Sequence, residues 1–382
     1  MDCGRGRLGN LRGCPDARNL VTAVSLGTPH PPMFRPRTSL FSSPTPVQPM
    51  ANRTLALRLL PTLLLAACQP AADAGPPAEA TPVVRGSDAA ARGWTEADFP
   101  RVKELAPGVY SYEWLRTAET GGTTNCLFVV TTEGVLVADG LGSVEDTKRM
   151  VEEIAKITPQ PIKWVVVGSD HGDHRGGDSA FPQDAKFYAT TFSANVMKAS
   201  AKAPDRAAEA PPVRVADVIV DDTLALTIGG KEVQIMNLGR AHTGGDLAVW
   251  LPAEKILFMS EIYFNHLFPS MRSSYPAEWI AAVERAQAMD VNIYVPGHGF
   301  MDSPPVLEEE LEAYKQAMLA VMAETKRLHD AGVVADSVGA KANFGEYSSW
   351  AGRDRQTERN TPRLYMELDG KLDTPPGTKP IA

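Results

Sequence analysis

The chain has 382 residues, 43% of them hydrophobic and 22% charged, and a net charge of -8. That is globular composition, long enough for one large domain or two ordinary ones. A chain this acidic is not built to neutralise phosphates, which argues against nucleic acid as a partner.

Residues 1–49 carry six arginines, no lysine, many prolines and no sustained periodicity. No structure is expected there. From Met50 the chain runs "MANRTLALRLLPTLLLAACQPAADAG". Arg53 and Arg58 form a basic region, Leu59 to Ala67 a short apolar run, and small residues lead to Cys68. The apolar run is too short to span a bilayer, so 50–68 is expected to be an export signal. An ordinary secretory signal cut nearby is one reading. The small residues before a cysteine also resemble a bacterial lipobox. That resemblance implies translation from Met50, a lipid on Cys68 and a membrane anchor. With Gln69 rather than Asp after the cysteine, it implies the outer membrane, facing the periplasm; without the lipid the protein is periplasmic. Of the cysteines, only Cys126 then keeps a free thiol, so no disulfide framework is expected. Cys126 lies in the strand-like "TTNCLFVVT" and reads as a small buried hydrophobe.

Residues 69–92 are rich in Ala and Pro and read as a disordered tether. A folded domain is expected over 93–303. "GVYSYEW", "CLFVVTT" and "GVLVADG" are short β-rich runs between turn residues. After Ser143, a helix cap, Val144, Met150, Val151, Ile154 and Ile157 recur at helical spacing. "IKWVVVG" is a buried strand and "KFYATT" another, followed by a short helix over "SANVMKASAKA". The stretch 215–239 reads as strands around the turn at Gly229-Gly230. "DLAVWLP" and "KILFMSEIYF" are strands, "AEWIAAVERAQAM" an amphipathic helix, and "VNIYVPGHG" a strand and loop. A long helix ending at Gly332 opens a C-terminal helical extension, 304–382, expected to pack on the core. Strands and helices arrive in two successive batches, which predicts two sheets packed together with helices outside.

The chemistry gathers at strand ends. His171 and His174 follow "WVVVG", His242 lies in "NLGRAHTGGDLAVW", and His298 in "YVPGHG". Glycines beside them let the backbone turn sharply and the side chains converge. Asp173 stands between the first pair, and Glu261 ends "ILFMSE". Imidazoles and carboxylates converging from several loops predict a transition-metal site, most naturally zinc.

From about residue 105 to 300 the chain resembles the metallo-β-lactamase fold superfamily. "SDHGDHRGG", "AHTGGD", "LFMSE" and "PGHG" stand in the family's order. The resemblance implies an α+β fold, a four-layer αβ/βα sandwich. It places His171 and His242 on a first metal, Asp173, His174 and His298 on a second, and Glu261 where the family usually has a bridging Asp. The family's leading His is Ser169. Either the first metal binds weakly, or only the second site is used, or the longer Glu261 restores a binuclear site. The asymmetric site, second metal tight and first metal weak, is the expectation, with Ser169→His strengthening the weak step. Asp170 neighbours Ser169, but strand alternation points it away from the metal. The oxygen-rich donors leave iron or manganese open.

The implied function is hydrolysis of an ester, thioester, lactone, amide or related bond in a small molecule. A bound metal lowers the pKa of water toward neutrality and so supplies a hydroxide nucleophile. Asp173 is the expected catalytic residue, orienting that water and handling its proton. Asn265 and His266, just past Glu261, are candidate substrate contacts. Two rivals stand beside this reading. One is a β-lactamase proper, against which Glu261 argues. The other is a metal-binding or catalytically decayed protein, for which Ser169 is the support.

Overall fold

A computed structural model describes residues 86–117, 122–203, 207, 210–301 and 308–373. Cys68, the signal over 50–68 and most of the tether lie outside the described residues. Among the described residues no helix is long and apolar enough to cross a membrane.

The first strands are β1 (Arg101–Ala106), β2 (Val109–Thr117), β3 (Gly122–Val130), β4 (Val135–Ala138), β5 (Ile162–Val166), β6 (Lys186–Ala189) and β7 (Val218–Ile219). They form one sheet in chain order. Pairing is antiparallel from β1 to β4 and parallel from β4 onward, with α1 (Val144–Ile157) making the first parallel crossover. The later strands are β8 (Thr223–Ile228), β9 (Lys231–Met236), β10 (Ala248–Leu251), β11 (Ile256–Phe258) and β12 (Ile293–Val295). They form a second sheet, with β12 parallel to β11 and the rest antiparallel. Gly229 and Gly230 both have positive φ, +56° and +81°, so the β8–β9 turn is open to glycine and costly for other residues.

The pleat divides the first sheet between two cores. Leu127, Val129, Leu136, Ala138 and Val166 face the second sheet and share one core with Val249, Leu251 and Phe258. The alternate residues Cys126, Phe128, Val135, Val137 and Val165 pack on the other face with Met150 and Ile154 of α1. Met197 of α3 (Thr191–Ala201) joins them. The second sheet's core takes in Trp279 and Val283 of α4 (Pro276–Gln287), and Leu311, Tyr314 and Met318 of α5 (Glu308–Asp330). The mixed fold of two facing sheets with outer helices is the expected one.

Two stretches differ from expectation. Folded contacts begin before residue 93: Ala89 is fully buried beside Phe99, Leu115 and Phe300, and Ser87 Oγ donates to the Asn265 carbonyl at 2.5 Å. Small side chains in an Ala-rich stretch can tuck against a core as readily as stay in solvent. Within the C-terminal extension, where the sequence marks only the long helix ending at Gly332, a further helix, Arg353–Leu368, contains Pro362. With the short helices Gly172–Arg175 and Val338–Lys341 included, that helix is α7.

Candidate metal centre

The site is built at strand ends. His171 precedes the helical turn Gly172–Arg175, which follows β5 and carries Asp173 and His174. His242 lies between β9 and β10, Glu261 in a short turn (Ser260–Ile262) after β11, and His298 after β12. Local sequence makes this approach possible. A Cβ on Gly297 would stand 2.4 Å from the Ser260 carbonyl group, so only glycine lets the β12 loop press against the turn that holds Glu261.

Five side chains converge on one carboxylate. Glu261 Oε1 lies 3.1 Å from His298 Nε2, 3.2 Å from His242 Nε2 and 3.8 Å from His174 Nε2. Its Oε2 lies 2.8 Å from His171 Nδ1. Asp173 Oδ2 is 3.5 Å from His298 Nε2 and 4.0 Å from His174 Nε2. Two donor groups result: Asp173, His174, Glu261 and His298, and His171, His242 and Glu261. In each, one donor atom per residue lies within 4.8 Å of all the others. Glu261 is common to both. This is the division of ligands that the resemblance implies.

The tautomers test whether a cation fits. His298 Nδ1 meets the Thr123 carbonyl at 2.5 Å, and a carbonyl only accepts, so Nδ1 carries the proton. His174 Nδ1 meets Asp139 Oδ2 at 2.8 Å. Asp139 also accepts from the Gly168 N–H at 2.6 Å and the Ser260 hydroxyl at 2.5 Å, and His174 donates its Nδ1 proton to the same carboxylate. As neutral rings, both would turn bare Nε2 lone pairs toward each other at 3.1 Å, with the Glu261 carboxylate beside them. Lone pairs so placed repel unless something positive lies between. Without a metal, protons take that part. Burial would lower the His174 pKa, but Glu261 and Asp139 outweigh it and raise it to about 9. Burial would likewise raise that of Glu261, yet His242, His171 and His174 hold it well below the usual carboxylate range. The donor set fits a divalent cation.

Ser169 sits inside this arrangement, fully buried, and donates to Glu261 Oε2 at 2.5 Å. The two departures from the family pattern are thus in contact. A shorter residue replaces the leading His, a longer one replaces the bridging Asp, and the hydroxyl anchors the longer one. Asp170 is buried but outside both donor groups. Burial raises its pKa, and Thr243 is among its hydrogen-bond partners.

Asn265 and His266 are not brought to the cluster. Asn265 is buried; its amide donates to the Phe300 carbonyl at 2.8 Å and accepts from the Tyr263 hydroxyl at 2.9 Å. It braces the loop from within. His266 packs on the Trp350 ring, with Nε2 3.6 Å from Glu310. Neither lines the pocket of about 210 Å³ that opens over Asp173, His242, Glu261 and His298, and whose walls include Phe264, Leu267 and Phe268. Reading them as substrate contacts took proximity in sequence to Glu261 for proximity to the pocket.

Sequence reasoning missed Asp139, which orients His174 from the end of β4. The signal was an acid closing a fully buried strand, "VLVADG". It also missed Arg116, at the end of β2, whose guanidinium pairs with Asp173. Burial would raise the Asp173 pKa; His174, His298 and Arg116 prevail and lower it.

Residues 120–298 match the family model described as the Metallo-beta-lactamase superfamily. The metallo-beta-lactamase type 2 of Elizabethkingia meningoseptica is 22% identical over 231 residues, 56% of this chain and 84% of that protein. The linear primary-alkylsulfatase of Pseudomonas sp. (strain ATCC 19151) is 22% identical over 256 residues, 56% of this chain and 48% of that protein. A solved metallo-beta-lactamase from Pontibacter korlensis is 22% identical, with TM-score 0.49, over 57% of this chain and 98% of its own.

Proposed function

We propose that the chain is a zinc hydrolase of small molecules with an asymmetric pair of metal sites, a reading supported by the match of residues 120–298 to the Metallo-beta-lactamase superfamily model. Asp173, His174, His298 and Glu261 hold the tight ion; His171 and His242 share Glu261 for a weaker one. The observation that carries this reading is the close approach of His174 Nε2 and His298 Nε2, 3.1 Å apart beside Glu261.

When bound, the metal supplies Lewis acidity, which makes water acidic and polarises the scissile group. The protein does the rest. Asp173 orients the attacking water and accepts its proton, and Arg116 keeps that carboxylate ionised and aimed. Phe264 and Phe268 exclude bulk water from one wall of the pocket. An ester, thioester, lactone, amide or related bond fits this chemistry. A β-lactam is one such amide, although a carboxylate as central as Glu261 speaks against a β-lactamase proper.

A hydrolysis screen on protein loaded with zinc, iron or manganese tests this, across esters, thioesters, lactones, sulfate esters and β-lactams. Zinc-dependent turnover of at least one class is expected. Stoichiometric metal with no turnover in any class would favour the metal-binding or decayed reading.

We also propose that Cys68 is lipidated and anchors the protein in the cell envelope, on the strength of "LLAAC" after a basic, apolar leader. The protein should then appear in detergent-extracted membranes, and Cys68→Ser should move it to the soluble or unprocessed fraction. Wild-type protein found wholly soluble in the periplasm would remove the anchor.

A further inference from the structure

The chain is acidic overall, yet Arg116, Arg272, Arg355 and Arg359 all line the one pocket over the cluster. Arg116 is committed to Asp173. Among the described residues no carboxylate pairs with Arg272, Arg355 or Arg359. Arg272 lies close enough to His171 to oppose its protonation.

These three arginines stand on a braced scaffold. Arg355 and Arg359 are one turn apart on α7 and share a face. The opposite face of α7 is buried through Thr357, Asn360, Thr361 and Leu364. Asn360 ties it to the loop that carries Arg272: its amide donates to the Pro269 carbonyl at 2.8 Å and accepts from the Met271 N–H at 2.5 Å. Arg363 adds a bond to the Ser274 carbonyl at 2.7 Å, and the Phe268 N–H donates to the Ala351 carbonyl at 3.1 Å. Helix and loop therefore hold their guanidinium groups on one rim. Like charges a turn apart repel each other in a bare helix, and an oxyanion between them reverses the sign. The guanidinium fork matches the paired oxygens of carboxylate, sulfate and phosphate. Beside the arginines, Phe264, Leu267 and Phe268 give the pocket an apolar wall.

We propose that this pocket selects small amphipathic molecules bearing an oxyanion group, which Arg272, Arg355 and Arg359 bind while the apolar body lies along Leu267 and Phe268. The selection of anions for hydrolysis rests on the hydrolase reading above; the binding of anions does not. Arg355 and Arg359 lie outside the matched domain, so the C-terminal helix supplies substrate selectivity to chemistry housed elsewhere.

The test has a binding arm and a kinetic arm. Metal-free full-length protein is titrated calorimetrically with naphthalene-2-sulfonate and with the neutral naphthalene-2-sulfonamide. The preference for the sulfonate should fall about tenfold in Arg355→Gln/Arg359→Gln, a loss of about 1.4 kcal/mol. Arg355→Lys/Arg359→Lys should recover part of it, since charge returns without the fork. On zinc-loaded protein, kcat/KM for 4-nitrophenyl hemisuccinate relative to 4-nitrophenyl acetate should fall by a similar factor in the Gln pair, through KM. Sulfonate preference lost in the Gln pair with neither ester hydrolysed would uphold the anion pocket and count against the hydrolase reading. Equal sulfonate preference in wild type and the Gln pair, with zinc content and circular dichroism matching, would overturn the proposal.

Discussion

The two sides of Glu261 are built to different standards. On the side of Asp173, both histidines have their far nitrogens tied down, His174 to Asp139 and His298 to the Thr123 carbonyl. On the other side, His242 Nδ1 is buried with no hydrogen-bond partner among the described residues, its ring wedged between Phe264 and Trp279. Tethering the far nitrogen fixes a histidine's tautomer and aims its lone pair. The asymmetry therefore does not rest on the missing imidazole at Ser169 alone. It extends to the groups behind the ligands.

The harshest test of this contrast is Asp173→Ala, which removes a donor and the proton acceptor together. Turnover should fall at least about 10²-fold, and the tight step of a zinc titration should weaken. Comparable turnover on any substrate that the wild type cleaves would place the chemistry elsewhere. Next comes Asp139→Asn, which touches only the well-braced side. The tight step should weaken about 10–100-fold, leaving the weak step in place. Equal weakening of both would mean that the two sides do not differ in the way described.

A smaller effect is expected from pH. In metal-free protein the His174 pKa lies at about 9, above its ordinary 6.5. A raised histidine contributes stability fully below its unfolded pKa and loses it as pH climbs through the folded one. The melting temperature of metal-free protein should therefore drop by several degrees between those values, and saturating zinc should remove the drop. A flat metal-free profile would show that no proton occupies the braced side.

The mildest expected change concerns Ser169. The structure revises the expectation that Ser169→His alone strengthens the weak step. Ser169 is fully buried against Glu261, so an imidazole there collides with the longer carboxylate. The single variant should weaken metal binding somewhat. Ser169→His with Glu261→Asp should bring the weak step closer to the tight one, as read by metal content after dialysis against graded zinc. Equal metal binding by the single and double variants would show that the two positions do not exchange.

The cluster was legible because its histidines sit beside glycines at strand ends, a pattern that solvated or core histidines do not repeat across three loops. The two sheets were legible from alternating and continuous apolar runs. What escaped shares a different cause. The helix Arg353–Leu368 buries Thr357, Asn360 and Thr361 beside Leu364 rather than an apolar stripe, and Pro362 interrupts its pattern, so periodicity does not mark it. Asn265 read as a substrate contact because its true partner, the Phe300 carbonyl, is distant in sequence. Arg272, Arg355 and Arg359 are exposed arginines, and nothing local in a sequence separates those on a pocket rim from those in open solvent.

That rim, set on a chain of net charge -8, gives an approaching anion two opposite experiences. Beyond about 8–10 Å, roughly a Debye length at moderate ionic strength, the molecule as a whole repels it. Inside that distance the guanidinium groups draw it in. Added salt then acts on the two stages in contrary directions: it relaxes the distant repulsion and speeds encounter, while it shortens the stay of the bound anion. Association and dissociation rates that both rise with ionic strength are the kinetic mark of a cationic mouth in an anionic body.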